Sequence, residues 1–386
     1  MTIDSPAPAP LRRNRLLLWI ALIAVLYSFF VGLEMMGLSF KLFGRGFAEG
    51  LIERTANPFS GLLIGILATT LVQSSSTTTS MTVALVAGGA LTIEGAIPII
   101  MGANIGTSVT NTIVSMGHVT RKEEFRRAFA GATLHDFFNW LTVLVLLPLE
   151  IVTGFLQTTA LTLEKALEGV GGDKLFNPLK AVVEPAADLL SAALGESGVA
   201  TLIAGLLLLF LALRYLVKIL RVLLSSQAEA VLHKTLFRSP AVAILAGAAV
   251  TVMVQSSSIT TSVMVPLVGA GVISLVQLFP FTIGANIGTT VTAMIAALAT
   301  GSAAAITIAL THLLFNLCGM ALIYFIPPVR RLPLWLAAQM GDLAVRNRVL
   351  AILYVVAGFY LIPLLLLFLS GAFASAGAPP TPPVGG

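Results

Sequence analysis

Cysteine is nearly absent from this chain. The one residue, Cys318, lies inside an apolar run, which excludes an intrachain disulfide and a cysteine-based metal site. Charge is scarce too. Asp, Glu, Lys and Arg make up 10% of the 386 residues, where a soluble domain carries about 25%. So few charges cannot cover a water-facing surface of this size, and lipid must solvate most of the chain. A hydrophobic content of 57% and a mean hydropathy of +0.98 agree. The pI near 9.6 does not indicate nucleic acid as a partner, because the Lys and Arg residues sit in short clusters between apolar runs, as cytoplasmic loops of membrane proteins do. Catalytic signatures are missing as well: there is no Gly-x-Ser-x-Gly elbow, Walker A loop or His-Glu-x-x-His pair. A protease assembled from Ser75, His135 and Asp136 would leave a duplicated serine cluster unexplained, so no enzyme is expected.

What is present is a series of apolar runs. About seven are long enough to span a bilayer: 16–38, 97–116, 129–150, 201–223, 280–298, 303–326 and 349–370. The first follows a polar, Pro-rich start with Arg12, Arg13 and Arg15; it is too long for a signal-peptide core and reads as a retained helix. Two further apolar stretches, 61–91 and 241–274, are broken in the middle by Gln-Ser-Ser-Ser at 73–76 and 255–258. The arm 61–72 covers about 18 Å as a helix, roughly half a bilayer. Two such arms make a re-entrant hairpin, whose irregular tip survives only where protein or water satisfies it.

The broken stretches are copies of one another. Aligning Gln73 with Gln255 lays residues 65–110 on 247–292 without a gap, and about half the positions are identical. Gly-Ala-Asn-Ile-Gly-Thr recurs at 102–107 and 284–289, and His135-x-x-x-Asn139 recurs as His312-x-x-x-Asn316. Loop charge orients the copies. With the N-terminus inside, Arg121, Lys122, Arg126 and Arg127 of loop 117–127 fall inside, as do Lys218, Arg221, Lys234, Arg238, Arg330 and Arg331. The matching loop 299–302 carries no charge and falls outside, with the acidic, loop-like stretch 164–196. The expected fold is therefore an all-α integral membrane protein of two inverted-topology repeats. A cytoplasmic segment 1–15 precedes repeat 1 (16–150). An extracellular connection 151–200 leads to repeat 2 (201–370), and a disordered tail 371–386 follows.

Each break exposes unpaired N–H groups at a new helix start and unpaired carbonyls at an old helix end. The former suit an anion, and the latter, with hydroxyl and amide oxygens, suit a hard cation such as Na⁺. The anion candidates are Ser74, Ser75, Ser76, Thr77, Ser256, Ser257 and Ser258. The cation candidates are Gln73, Thr78, Asn104, Thr107, Asp136, Gln255, Thr260, Asn286 and Thr289. Asp136 is there because an acid at membrane depth is costly and points to function, as an ion ligand or a proton carrier. Glu34 snorkels or functions equally well on this reading, and the two His–Asn pairs suit hydrogen bonds between helices.

These residues resemble the type II sodium–phosphate cotransporter family. The resemblance rests on both hairpin motifs, both Gly-Ala-Asn-Ile-Gly-Thr segments, residues 121–150, Thr-His-Leu-Leu-Phe-Asn at 311–316 and Ile-Pro-Pro-Val-Arg-Arg-Leu-Pro at 326–333. It implies Na⁺-driven uptake of inorganic phosphate by alternating access, with Na⁺ as coupling ion, no cofactor and no transition metal. An acid at the position of Asp136 implies an electrogenic member that takes divalent phosphate. Animal members carry a large, glycosylated, disulfide-bonded extracellular loop and a longer tail, whereas this chain is short between its halves. That implies a bacterial form in the inner membrane. An anion channel or a carrier of another oxyanion stays open on the residues alone, as does the oligomeric state, a homodimer included.

Overall fold

The computed structural model describes residues 15–43, 52, 54–171, 178–224 and 238–370. The expected segment 1–15 lies outside these residues except for Arg15, and Lys234 and the tail 371–386 lie outside them entirely. The described residues are helical throughout, with no strand among them. In chain order the helices are α1 Arg15–Phe43, α2 Pro58–Val72, α3 Ser75–Ala87, α4 Ile93–Thr107, α5 Val109–Ser115 and α6 Lys122–Thr153. There follow α7 Phe155–Gly171, α8 Pro178–Ala193, α9 Gly198–Leu224, α10 Pro240–Val254, α11 Ser257–Ser262 and α12 Met264–Gly269. The last five are α13 Leu275–Thr300, α14 Ala303–Gly319, α15 Pro327–Arg346, α16 Arg348–Val356 and α17 Ile362–Leu369.

Among the described residues six helical stretches are long and apolar enough to cross a membrane, and with them the chain is a multi-pass membrane protein. They cover six of the expected spans. α9 covers the remaining one, 201–223, with Gly198–Leu209 as its apolar stretch. Large apolar side chains stand exposed along these helices, as Leu16, Leu17, Ile20 and Ile23 do on α1, which is the surface lipid would solvate. Polar side chains are inside: every hydroxyl residue from Ser75 to Ser80 is buried.

Helix starts explain where the arms begin. Asn57 caps α2 by accepting from the Phe59 N–H (2.9 Å), and Ser239 caps α10 by accepting from Val242, each ahead of a proline in the first turn. Thr92 and Ser274 cap α4 and α13 in the same way. The correspondence between the halves thus reaches beyond the segment where the residues are identical. α2 lies against α4 with the two running the same way: Gly61 faces Gly95 and Pro98, Gly65 faces Ile99 and Ala103, and Gly106 faces Ile66 and Thr69. With α2 and α4 parallel, the intervening α3 must run back. α10 repeats this against α13, where Gly247 faces Phe281 and Ala285 and Gly288 faces Ala248 and Thr251.

Two expectations are corrected. The stretch 164–196 is no loop, since most of it is helical. α7 and α8 are amphipathic helices that bury Leu156, Ala160 and Glu164, and Val183, Ala187 and Ser191, at four-residue spacing. Of the acidic residues that suggested a loop, Glu184, Asp188 and Glu196 are exposed, whereas Glu164 is buried. Residues 327–346 form a further helix, α15, which buries Pro333, Ala337 and Gly341 against α6. The charged residues of this region tie the same two helices together, with Arg126 within 3.3 Å of Asp342.

Candidate functional site

The site grows from two helix breaks of the same design. α2 ends on Gln73 (φ 57°) and α10 on Gln255 (φ 55°), both in the left-handed conformation that terminates a helix. Glutamine rarely adopts it, and here the side chain holds it in place. The Gln73 amide donates to the Thr70 carbonyl (2.5 Å) and its Oε1 accepts from the Thr110 hydroxyl (2.9 Å). Gln255 donates to Val252 (2.6 Å) and accepts from Thr292 (2.7 Å). The next residue opens the returning helix. Ser74 accepts from the Thr77 N–H (3.2 Å) and Ser256 from the Ile259 N–H (3.3 Å). The serines thus cap both new helices.

The two breaks meet. The Ser76 hydroxyl donates to the Gln255 carbonyl and the Ser258 hydroxyl donates to the Thr107 carbonyl, both at 3.4 Å. Residues from both copies of the motif therefore share one buried region. Among the expected anion donors, Thr77 donates to Ser74 Oγ (2.9 Å), which leaves it committed. Among the described residues Ser257 Oγ is buried without a hydrogen-bond partner, and Ser75, at the start of the returning helix, is buried as well. Among the cation candidates, the hydroxyls of Thr78, Thr260, Thr107 and Thr289 donate to Ser74, Ser256, Ala103 and Asn286 carbonyls. A hydroxyl that donates keeps its oxygen lone pairs, so these four retain acceptor capacity while losing donor capacity.

A polar network crosses between the halves. His135 Nε2 lies 2.6 Å from Asn286 Oδ1, and Asn286 Nδ2 donates to Asn139 Oδ1 (2.7 Å). Asn139 Nδ2 donates to the Asn104 carbonyl (2.7 Å). Asn111 Nδ2 lies 3.4 Å from His135 Nδ1, and Thr261 reaches Asn111 Oδ1 (3.0 Å). The pattern puts the His135 proton on Nε2 and leaves Nδ1 as acceptor. This pair does bond between helices as expected. The second pair does not: Asn316 donates to its own helix at His312 (3.1 Å), and both His312 ring nitrogens lack partners among the described residues.

Asp136 is fully buried on α6, next to His135. Its Oδ2 accepts from the Tyr354 hydroxyl (2.8 Å), while Oδ1 has no hydrogen-bond partner among the described residues. No hydrogen bond joins it to the other cation candidates among the described residues. Sequence reasoning missed Tyr354, Thr110, Thr292 and Thr261. Thr110 and Thr292 carried a signal, since they close the gapless duplication.

Residues 28–121 and 197–330 match the Na⁺/Pi-cotransporter family. The chain belongs to this family. Both breaks fall within the matched segments, whereas Asp136 and Tyr354 fall outside them. Sodium-dependent phosphate transport protein 2B of Homo sapiens is 36% identical over 91% of this chain and 65% of its own length. The 2A proteins of Ovis aries and Oryctolagus cuniculus are 37% and 38% identical, each over 93% of this chain and 69% of their own length. The chain thus spans 65% of the length of the 2B protein and 69% of the length of these 2A proteins. No solved structure matches it.

Proposed function

We propose that this chain is a Na⁺-coupled symporter of inorganic phosphate that works by alternating access, with its N-terminus cytoplasmic in a bacterial inner membrane. The meeting of two equivalent Gln-Ser-Ser-Ser breaks, through Ser76 with Gln255 and Ser258 with Thr107, carries this reading. The parallel pairing of α2 with α4 and of α10 with α13 supports two re-entrant hairpins. The loop charges support their opposite orientation. Phosphate is held by the uncommitted hydroxyl of Ser257 and the hydroxyl of Ser75, with Ser74, Ser76, Thr77, Ser256 and Ser258 around them. Na⁺ is held by the acceptor oxygens of Gln73, Thr78, Asn104, Thr107, Gln255, Thr260, Asn286, Thr289 and Asp136. None of the residues at either break is Lys or Arg, so the anion lacks a fixed positive partner. Burying it unpaired is prohibitive, and bound Na⁺ supplies the missing charge. Coupling then follows from electrostatics.

In proteoliposomes, radiolabelled phosphate uptake is expected with Na⁺ outside and to fall to background when K⁺ replaces it. Uptake that persists without Na⁺ would sink the reading and favour a channel. Competition by sulfate or arsenate at equal concentration would favour a broader oxyanion carrier.

The serines separate by role. Ser256→Ala removes a cap and is expected to cost roughly 0.5–2 kcal/mol of stability. Ser257→Ala removes a hydroxyl with no partner; it should leave the thermal midpoint in place and raise the half-saturating phosphate concentration several-fold. Thermal melts and uptake curves on both variants check this, and a Ser257→Ala protein with unaltered phosphate dependence removes that hydroxyl from the site.

A further inference from the structure

The network between the halves is closed on one side only. On α13, the Asn286 amide is gripped at both ends: Oδ1 by His135 and Nδ2 by Asn139. Under the duplication the corresponding set is Asn104 on α4 with His312 and Asn316 on α14. The same three side chains are present there and all are buried, at 4%, 1% and 1% exposure. Yet Asn104 turns its Nδ2 onto the Ile100 carbonyl of its own helix (2.9 Å), and Asn316 turns onto His312 (3.1 Å). That leaves His312 Nδ1, His312 Nε2 and Asn316 Oδ1 buried with no partner among the described residues. Buried polar atoms are costly to leave unpaired, and their partners exist in this chain.

We propose that His135 with Asn139, and His312 with Asn316, are two equivalent clamps that position the Asn of the opposite repeat, and that they close in alternate conformers. In the conformer described here the first clamp holds Asn286. In the oppositely facing conformer it opens, Asn286 turns back onto α13, and His312 with Asn316 takes hold of Asn104. Each clamp spans the two repeats, so closing one and opening the other is coupled to their relative movement. The copies differ in one respect. Asn111 braces His135 Nδ1 from α5, and the corresponding position in the second repeat is Ala293, which can donate nothing. The first clamp is therefore the stiffer, and the resting population lies toward the conformer in which it is closed.

This rests on the alternating-access reading above, and the test separates the two. The full-length protein is reconstituted in one orientation, and the phosphate concentration for half-maximal transport is measured for influx and for efflux. An apparent affinity falls with the fraction of protein in the competent conformer, so a population shift moves the two values in opposite senses. His135→Ala is expected to change the influx-to-efflux ratio several-fold in one direction and His312→Ala in the other. The double variant should lie nearer the wild type. A general loss of packing would instead weaken both directions together, and shifts of the same sign, or none from His312→Ala, overturn the proposal. Absence of Na⁺-driven uptake by the wild type would fail the underlying reading instead. The exchange is then read without phosphate, in a Cys318→Ser background with the pairs His135→Cys, Asn286→Cys and His312→Cys, Asn104→Cys. A short bifunctional thiol reagent should link both pairs. Linking of only the first overturns the proposal.

Discussion

Gly284→Ala is expected to cost this protein much of its folded population. A Cβ at Gly284 would meet the Ile244 carbonyl oxygen in hard overlap and lie 2.7 Å from the Ile244 carbonyl carbon and 2.9 Å from its Cα. These are backbone atoms of α10 in mid-helix, and they cannot rotate away as a side chain can. α10 and α13 would have to separate along the length that aligns Gln255, Thr292 and Asn286. Overpacking of this kind costs roughly 1–3 kcal/mol, and a rigid neighbour puts it at the upper end. At about 2–4 °C per kcal/mol for domains of about 150–250 residues, and less for a longer chain, the thermal midpoint should fall by a few degrees. Na⁺-dependent uptake should be lost with it, because the Gln255 break would no longer sit where Ser76 reaches it. Gly102→Ala tests the same contact in the first repeat, against the Leu62 carbonyl. Gly117→Ala is the control, since nothing lies within 4 Å of a Cβ there. A Gly284→Ala protein that melts with the wild type would show that the helices do not pack at this distance.

Replacing Asp136 is expected to separate charge movement from phosphate movement. The side chain is fully buried, with one oxygen bonded to Tyr354 and the other without a hydrogen-bond partner among the described residues. A negative charge so placed calls for a cation, and among the described residues no Lys or Arg is hydrogen-bonded to it. In Asp136→Gly the carboxylate is gone, and with it one reason for a Na⁺ to bind. Phosphate uptake should survive at a reduced rate while net charge transfer per phosphate is lost. Asp136→Asn adds a second observation: it keeps an acceptor for Tyr354 and removes only the charge, so loss of current there cannot be assigned to a cavity. The measurement is current and radiolabelled uptake on the same reconstituted preparation at a set potential. Transport current equal to the wild type in both variants removes Asp136 from the ion pathway.

The two breaks were legible because their residues are unusual for their place: polar runs inside apolar stretches, duplicated without a gap. Gln73 and Gln255 were legible as important, but not as helix terminators, since their left-handed backbone depends on threonines 37 positions downstream. The stretch 164–196 looked like a loop because its acidic residues stand out in an apolar chain. Two amphipathic helices, α7 lying on α14 and α8 lying on α1, satisfy the same composition. α15 was overlooked for a related reason: its prolines and arginines mask an apolar face that only α6 makes useful. Tyr354 was beyond reach, because its bond to Asp136 spans 218 positions.

By itself the sequence determined a membrane-solvated, duplicated, all-helical chain with hydroxyl-rich breaks, because scarcity of charge, hydropathy and repetition are properties of residues in order. It also determined that two His–Asn pairs exist. Only the tertiary structure decided that the pairs differ, one reaching Asn286 across the repeats and the other folded back on its own helix. Identical residues carry identical local preferences. Whether an amide bonds across or turns back depends on how far apart two helices stand, and no residue within either motif sets that distance.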